Sequence, residues 1–446
     1  MRRLYREILG LNKYGQARLT FGERLLLWLT FVFLLFEVFS GALRYYLALS
    51  GIAWLIYVPK MLISVVLLAQ LMWTLYKQRI SRLLALVLVT IAFYALVGLY
   101  YTGNILQVGF GVYGLFPFLL GLMIVPPIEK LGRRLLPYLL LFWLCAALGV
   151  WLDYWYDVPW QGVVYSVGDV TVQASREWWT FGLERVSGFS RASYDAAGQL
   201  LFLAIGILWL TRSRLLIVVI WIATGVLIAL TTTKRTVGTY ILLTLLLPLV
   251  RQRRFFRTLR GVVGSVLPWM ITLIGIALPA STLFIDYSLS LSNPVSLFLL
   301  ASFEDRLTRV WPGVFDMLYN YGSLWFGRGI GGIGAAQKYF EENLYTYADN
   351  VYLQLYGLFG VMSFLIIYFY TRAVSRLLQK SENIADLMWF WAMAVLLQGW
   401  AVAGIDGVLI AMILGITWRF AVRIKEPVRQ KTLYNQFLYN NHIECY

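Results

Sequence analysis

Long uninterrupted apolar runs recur from one end of this chain to the other. Each covers roughly 17–25 residues, which is the length that a helix needs to cross the hydrocarbon layer of a membrane. The runs are continuous rather than alternating, so they predict helices and not the strands of a membrane barrel. Because 60% of the residues are hydrophobic and only 13% are charged, the composition excludes a soluble domain and indicates a polytopic membrane protein.

The runs predict an all-α fold with about twelve transmembrane helices, in a single integral-membrane domain over residues 1–446. The predicted spans are 25–43, 52–76, 83–102, 105–126, 136–152, 195–211, 214–231, 236–250, 263–283, 351–371, 386–403 and 405–421. The last two could instead form one broken hairpin around residues 404–407.

The basic residues indicate an orientation. The net charge is +16, but most lysines and arginines cluster in residues 1–24 and in the short segments between alternate spans. This is the pattern of the positive-inside rule, and it places both termini in the cytoplasm. The charge is therefore explained by topology rather than by nucleic-acid binding. No cleavable signal is expected, because the first apolar run begins only near Leu25 and is too long.

The chain has one histidine and two cysteines. The one histidine, His442, lies in the C-terminal tail, so a histidine metal site is excluded and a histidine general base is not expected. Cys145 and Cys445 give no disulfide framework. The sequence predicts neither a metal nor a cofactor.

Two outer segments, 153–194 and 284–350, are too long to be turns. Loops of this length usually carry function or are disordered. Both are rich in arginines and aromatic residues, so we expect folded caps at the membrane interface. Within the second, Val295 to Leu307 predicts an amphipathic helix on the membrane surface. The aromatic residues concerned are Trp155, Trp160, Trp178, Trp179, Phe181, Trp311 and Trp325.

The first long loop ends with Arg185 and Arg191, six positions apart among small hydroxyl residues. A guanidinium holds phosphate through two parallel hydrogen bonds, so this segment suits an anionic head group. The alternative is that both arginines merely extend to the membrane interface. The segment alone does not decide between the two.

Lys234 and Arg235 lie on a short turn, Thr231 to Thr236, between two spans. The turn is so short that both cations must lie at the outer border of the membrane, where they suit a phosphate. The alternative is two ordinary interfacial side chains, but a positive pair on the outer side runs against the general charge bias.

The second long loop adds three arginines. Arg306 and Arg309 share one face if their segment is helical, where they either bind ligand or pair with Asp305 or Asp316. Arg328 lies in the glycine-rich run 327–334. The backbone amides of such a run could cradle a phosphate, or the run could be a plain hinge.

Asp349 and Asn350 stand at the start of the tenth predicted span, two residues before Tyr352. Both residue types favour the helix N-cap. A carboxylate at this outer position is also a candidate general base, and the two roles are compatible.

Two charged residues lie inside predicted spans. Glu37 and Lys60 fall at similar depth, and since lone charges in lipid are expensive, we expect them to form an ion pair or to contact a ligand. Asp406, near the last outer turn, has no assigned role.

The order of these features resembles the O-antigen ligase/polymerase superfamily, the bacterial membrane proteins of the Wzy type. Residues 185–189 (Arg-Val-Ser-Gly-Phe) are similar to its Arg-x-x-Gly element after the first long outer loop. Residues 234–236 (Lys-Arg-Thr) are similar to its Ser-Arg-Thr turn. Residues 326–331 and 349–354 are similar to its Gly-x-Gly and His-Asn-x-x-Leu-Gln elements. The motifs cover about residues 150–375, and the topology covers the whole chain.

The resemblance implies a metal-independent inverting glycosyltransferase with a GT-C-like fold in the bacterial inner membrane, with its active site facing the periplasm. Its donor would be a sugar chain on undecaprenyl pyrophosphate. Asp349 stands where the ligases carry histidine and Lys234 where the turn usually has serine. The first departure favours a polymerase of O-antigen or exopolysaccharide.

The resulting hypothesis assigns roles to named residues. Arg185, Lys234, Arg235 and Arg191 hold the pyrophosphate, and Asp349 accepts the proton of the incoming sugar hydroxyl. Arg306, Arg309 and Arg328 are secondary substrate contacts, and Asn350 and Tyr352 belong to the same binding motif. The expected partners are the lipid-linked oligosaccharide, membrane lipid and a chain-length regulator protein. The alternatives are a ligase acting on another acceptor and a transporter of lipid-linked glycan.

Overall fold

The computed structural model describes residues 19–77, 80–167, 170–180, 183–252, 255, 257–288, 293–379, 383–402, 404 and 407–423. The basic residues up to Arg18, together with Asp406, His442 and Cys445, lie outside these ranges. The described chain is mostly helical, as the apolar runs predict.

The helices before the first long loop follow one another with short connections. They are α1 (Phe21–Val38), α2 (Ser40–Leu49), α3 (Val58–Tyr76, after a 3-10 turn Ala53–Tyr57), α4 (Arg82–Thr102), α5 (Ile105–Gly114), α6 (Phe116–Leu131) and α7 (Leu136–Trp155). The first long loop then forms two small hairpins, β1 (Val164–Val167) with β2 (Val170–Gln173) and β3 (Trp179–Thr180) with β4 (Leu183–Glu184), both antiparallel.

The second half returns to helices. They are α8 (Ser193–Leu210), α9 (Arg214–Leu230), α10 (Lys234–Arg251), α11 (Arg257–Ser281), α12 (Pro294–Asp305), α13 (Trp311–Tyr321), α14 (Ala335–Phe340), α15 (Val351–Phe359), α16 (Met362–Val374), α17 (Asn383–Gln398) and α18 (Val408–Arg423). A π-helical turn, Arg306–Val310, joins α12 to α13.

Six helical stretches of the described chain are long and apolar enough to cross a membrane: Ala53–Tyr76, Arg82–Thr102, Ile105–Trp155, Ser193–Leu210, Arg257–Ser281 and Ile384–Ala401. α1 and α2 together would make a seventh, although they are bent by 81°. α9 and α18 are apolar but shorter. The protein is thus an all-α membrane protein whose predicted runs are helical, although fewer than twelve helices meet the length requirement.

Two of the predicted spans are broken helices. The first bends at Phe39, between α1 and α2. Two backbone carbonyls that lose their helical hydrogen bonds at this bend accept hydrogen bonds from side chains of other segments. The Glu37 carbonyl accepts a hydrogen bond from Gln199 Nε2 at 3.1 Å, and the Val38 carbonyl accepts one from Ser190 Oγ at 3.3 Å. The second breaks at Gly360, which has a φ of 53°. A broken helix inside a membrane protein is tolerated where neighbours supply such partners.

The centre of the bundle is α8. All of its side chains from Ala196 to Leu208 are buried, which is the pattern of a helix surrounded by other helices. It packs against α7, α9, α10 and α17. Because its first turn lies directly after Arg191, this buried helix also positions the end of the first long loop.

Both long loops contain secondary structure, and their aromatic residues differ in exposure. Trp160 and Trp311 are buried, whereas Trp155 and Trp325 are exposed. In the second loop, α12 covers most of the helix predicted from Val295 to Leu307. The short hairpins of the first loop were not predicted, because their strands span only two to four residues.

The glycine-rich run 327–334 is a packing element and is fully buried. Its backbone bonds to two helices: Ile330 N donates to the Tyr94 carbonyl of α4 at 2.9 Å, and Arg328 N donates to the Gly357 carbonyl of α15 at 2.8 Å. A Cβ on Gly329 would collide with the backbone of Gly98. The run is therefore neither an open phosphate cradle nor a free hinge.

This packing predicts the effect of two matched substitutions. Gly329 and Gly103 both have positive φ, 75° and 62°, but only Gly103 has open space around its Cβ position. Alanine at either site carries the left-handed penalty of about 1–2 kcal/mol. We expect Gly329→Ala to cost about 1–3 kcal/mol more than Gly103→Ala, because it also overpacks the backbone contact. Thermal unfolding of the purified protein measures the difference, and equal melting temperatures would contradict the packing role.

Candidate functional site

Three helices begin at the junction between the long loops and the bundle: α8 at Ser193, α10 at Lys234 and α15 at Val351. A helix N-terminus carries a partial positive charge and free N–H groups, both of which favour an anion. Among the three, α8 and α10 begin without a side-chain cap. The residues predicted from sequence lie on or beside these three starts.

Arg235 lies at the middle of this junction. Its guanidinium carbon is 5.1 Å from the centroid of the Tyr194 ring, and its Nη1 donates to the Ala401 carbonyl at 2.8 Å. It therefore ties the start of α10 to the start of α8 and to the 3-10 turn Gly399–Ala401 that follows α17. Its Nε is buried and has no hydrogen-bond partner among the described residues.

Arg306 and Asp349 form an ion pair across the site. Arg306 Nη2 donates to Asp349 Oδ2 at 3.0 Å, and the carboxylate side chain keeps a third of its surface exposed. Arg306 lies in the π-helical turn, a type of irregularity that is frequent at functional sites. Its Nη1 also donates to the Ser302 carbonyl, while its Nε is buried without a partner. The charge of Asp349 acts on Arg235 as well, so the two motifs adjoin.

The backbone is strained at the same place. In the described chain, the residues other than glycine with positive φ are Thr232, at 54°, and Asp349, at 43°. Aspartate tolerates this conformation, but a β-branched threonine rarely adopts it. Such strain costs about 1–3 kcal/mol and clusters at functional sites. Here it occurs in both predicted motifs, two residues before Lys234 and directly before Asn350.

Arg185 and Lys234, two further cations, lie close to each other near Arg306. Burial lowers the pKa of Arg185, and the charge of Arg306 lowers it further. Burial and the charge of Arg185 in turn lower the pKa of Lys234. The two cations from the first loop and the short turn therefore do neighbour each other, as predicted, and an anion would relieve their repulsion.

An aromatic stack joins the first loop to Arg235. The guanidinium carbons of Arg176 and Arg185 lie 5.5 and 5.6 Å from the Trp178 ring. Trp178 in turn lies 5.8 Å from the Tyr194 ring, between centroids, and Arg176 Nη1 donates to the Tyr194 hydroxyl at 2.9 Å. Arginines stacked on aromatic faces are held in place without using up their hydrogen-bond donors.

Several buried donors at the site lack partners. The Nε atoms of Arg191, Arg235 and Arg306 are all buried and make no hydrogen bond with a described residue. An unsatisfied buried donor costs about 1–3 kcal/mol, and more when it is charged. Three hydroxyl oxygens of the neighbouring segments are also buried and make no hydrogen bond with a described residue: Ser193 Oγ, Thr232 Oγ1 and Thr236 Oγ1. A ligand with several acceptor oxygens would satisfy them.

Two predicted substrate contacts are engaged elsewhere. Arg328 is 2% exposed and makes a two-pronged ion pair with Glu341, with N–O distances of 2.7 and 2.8 Å. Its guanidinium thus holds the glycine run in place. Arg309 pairs with Asp305 at 2.8 Å, the partner considered in the sequence, and 70% of its side chain is exposed.

Asn350 and Tyr352 stabilise the start of α15. The Asn350 side-chain oxygen accepts from the backbone N–H groups of Tyr352 and Leu353, both at 2.9 Å, so Asn350 is the N-cap of α15. Tyr352 is buried, and its hydroxyl donates to the Leu396 carbonyl at 3.1 Å. Both side chains therefore stabilise α15, the helix that begins just after Asp349.

The sequence reasoning assigned no role to Arg176, Tyr194 or Asp195, and it named Trp178 only as one of the loop aromatics. The available signal was the charge in the first turn of an otherwise apolar span, at Asp195. The stack of Trp178 on Tyr194 had no local signal, because it depends on how the hairpins fold back. In the described part of the chain, no group of three or more His, Cys, Asp or Glu residues is placed to hold a metal ion.

Comparisons with protein-family models, with curated proteins and with solved structures find no match to this chain. The interpretation of the site therefore depends on its geometry and on the order of the sequence motifs.

The lowered pKa of Lys234 predicts a pH dependence. Its ammonium group loses its proton at a lower pH than an ordinary lysine. If the site binds a pyrophosphate, as proposed below, its affinity for the short-chain analogue farnesyl pyrophosphate should fall as the pH rises towards the normal lysine range. Lys234→Arg should keep its charge and hold the affinity to higher pH. The exposed Lys77→Arg, outside the site, is the control. Binding titrations from pH 7 to 10 measure this, and identical profiles for wild type and Lys234→Arg would contradict it.

Proposed function

We propose that this protein is a polysaccharide polymerase of the Wzy type in the bacterial inner membrane. It transfers a growing glycan from undecaprenyl pyrophosphate onto the terminal sugar of a lipid-linked repeat unit. The observation that carries the proposal is the set of buried arginine Nε donors without partners at Arg191, Arg235 and Arg306. Pyrophosphate offers many acceptor oxygens to such donors, and arginine suits phosphate geometry.

The cationic cluster supports departure of the leaving group. As the acceptor oxygen attacks the anomeric carbon from the opposite face, the bond from that carbon to the pyrophosphate oxygen breaks and inverts the configuration. The electron pair leaves with the pyrophosphate, whose growing negative charge Arg235, Arg185 and Lys234 stabilise. Preorganised cations in a water-poor site are effective at this task.

Asp349 is the proposed base. Its Oδ2 is held by Arg306, and among the described residues its Oδ1 receives no hydrogen bond. The acceptor hydroxyl would therefore give its proton to Oδ1 while the ion pair keeps the carboxylate oriented. Asn350, the next residue, caps the N-terminus of α15 and so helps to fix the position of Asp349. General-base catalysis of this kind contributes about 10²–10⁴-fold in rate.

The proposal also includes the topology. It places both termini in the cytoplasm and the site at the periplasmic face, with about twelve crossings in a GT-C-like arrangement. The long apolar stretches, the shorter helices α9 and α18 and the distribution of basic residues support this. A chain-length regulator is the proposed protein partner.

Purified protein with one defined undecaprenyl-pyrophosphate-linked repeat unit tests the reaction class. With EDTA present, we expect a ladder of glycans with one-unit steps and release of undecaprenyl pyrophosphate. Transfer only after a separate lipid or protein acceptor is added would make the protein a ligase. An unchanged lipid that instead crosses the bilayer of a vesicle would favour transport.

Two substitutions test the residue roles. Asp349→Asn should lower the rate of polymerisation by about 10²–10⁴-fold, the contribution of a general base. It should leave farnesyl pyrophosphate binding nearly unchanged. Arg235→Gln should weaken that binding as well. Arg372→Gln, an arginine stacked on Tyr368 away from the site, is the control. Full activity of either site variant at normal protein levels would refute its assigned role.

A further inference from the structure

A second polar cluster lies beside the arginine site, at the break between α1 and α2. It brings together Glu37 from the end of α1, Arg44 from α2, Lys60 from α3 and Asp195 from the first turn of α8. The charges of Arg44, Asp195, Lys60 and Arg191 all act on Glu37. The charge of Lys60 therefore acts on Glu37 within a larger group of charges, and the expectation that the two form an ion pair or contact a ligand stays a prediction.

The two carboxylates of this cluster are unusual because they are not bound. Asp195 is influenced by four arginines, in the order Arg191, Arg176, Arg235 and Arg44. Even so, neither the Glu37 nor the Asp195 carboxylate makes a hydrogen bond or an ion pair with any described residue. Carboxylates in a partly buried setting normally find direct partners. Both carboxylates therefore keep unused capacity to accept hydrogen bonds among the described residues.

Other polar atoms in the cluster are unpartnered too. Ser193 Oγ and Arg191 Nε, which also border the arginine site, are buried and make no hydrogen bond with a described residue, and Ser193 is only 2% exposed. The charges of both Arg44 and Arg191 act on Tyr165, which places it in the same group. The cluster thus offers a mixture of donors and acceptors in close proximity.

An aromatic face completes the cluster. The Lys60 ammonium lies 4.1 Å from the centroid of the Tyr113 ring, and the charge of Glu37 acts on Tyr113. The position of Lys60 is therefore fixed by stacking in addition to its electrostatic neighbours.

The chemistry of the cluster selects its ligand. Two carboxylates would repel a pyrophosphate, so the cluster differs from the cationic site around Arg235. A ligand with many hydroxyl groups can donate to carboxylates and accept from guanidinium and phenol groups at once. A pyranose ring has this property, and its apolar face suits an aromatic ring.

We propose that this cluster is a sugar subsite, in which Glu37 and Asp195 accept hydrogen bonds from hydroxyls of one ring of the glycan substrate. The inference rests on the proposed function, since the glycan must extend from the pyrophosphate site. The neighbouring residues Tyr194 and Asp195 connect the two, because Tyr194 stacks with Arg235 while Asp195 faces Glu37. The bend at Phe39 is what brings Glu37 and Arg44 to the same place.

The test uses the full-length protein in detergent and two probes. One is the repeat-unit oligosaccharide, released by mild acid from lipid-linked material of cells that lack this protein. The other is farnesyl pyrophosphate. We expect Glu37→Gln and Asp195→Asn each to weaken oligosaccharide binding by at least tenfold. Glu37→Gln should change farnesyl pyrophosphate binding by less than twofold, and Asp195→Asn should not weaken it, because removing a negative charge that acts on Arg235 favours an anion. Arg235→Gln should have the opposite pattern, and Asp316→Asn, an exposed acid on α13, should change neither.

The outcomes separate the two proposals. Unchanged oligosaccharide binding in both acid variants overturns the subsite, and so does the absence of oligosaccharide binding to the wild type. Equal loss of both probes also overturns it, because the acids would then act on the site as a whole. If the wild type binds the oligosaccharide but not farnesyl pyrophosphate, the proposed donor site fails while the sugar subsite stands. Melting temperatures of all variants show whether each is folded.

Discussion

Burying several guanidinium groups at the rim of an apolar bundle is the constraint on which this structure depends. A cation removed from water without a partner is costly, yet the Nε atoms of Arg191, Arg235 and Arg306 remain unsatisfied. The contrast with Arg328, whose guanidinium is engaged by Glu341, shows that the same fold can satisfy a buried arginine completely. Under the proposed function, the oxygens of a bound pyrophosphate supply the acceptors that these three atoms lack.

The bundle supplies what this arrangement needs. The centrally packed helix α8 begins at the site and resists displacement, while aromatic rings such as Trp178 and Tyr194 hold arginines without consuming their hydrogen-bond donors. The strained backbone at Thr232 and Asp349 is maintained by the surrounding packing. A single carboxylate, Asp349, is then oriented by Arg306 but still partly open.

Much of this could be predicted from the sequence, since apolar length predicts helices and short polar motifs stand out in an apolar chain. Arg185, Lys234, Arg235 and Asp349 adjoin as expected. The glycine run misled, because its need for close backbone packing against Gly98 and its capacity to bind phosphate produce the same residue pattern. The bend at Phe39 was missed, since its carbonyls are satisfied by Gln199, which is distant in sequence.

The most direct test of the account is an experimental structure of the purified protein with its lipid-linked repeat unit bound. The account predicts density for the pyrophosphate within hydrogen-bonding distance of Arg235, with Arg191 or Arg306 donating through its Nε. The terminal sugar hydroxyl of an acceptor should approach Asp349. A pyrophosphate located elsewhere, for example at the glycine run 327–334, with Arg235 uninvolved, would contradict the central claim.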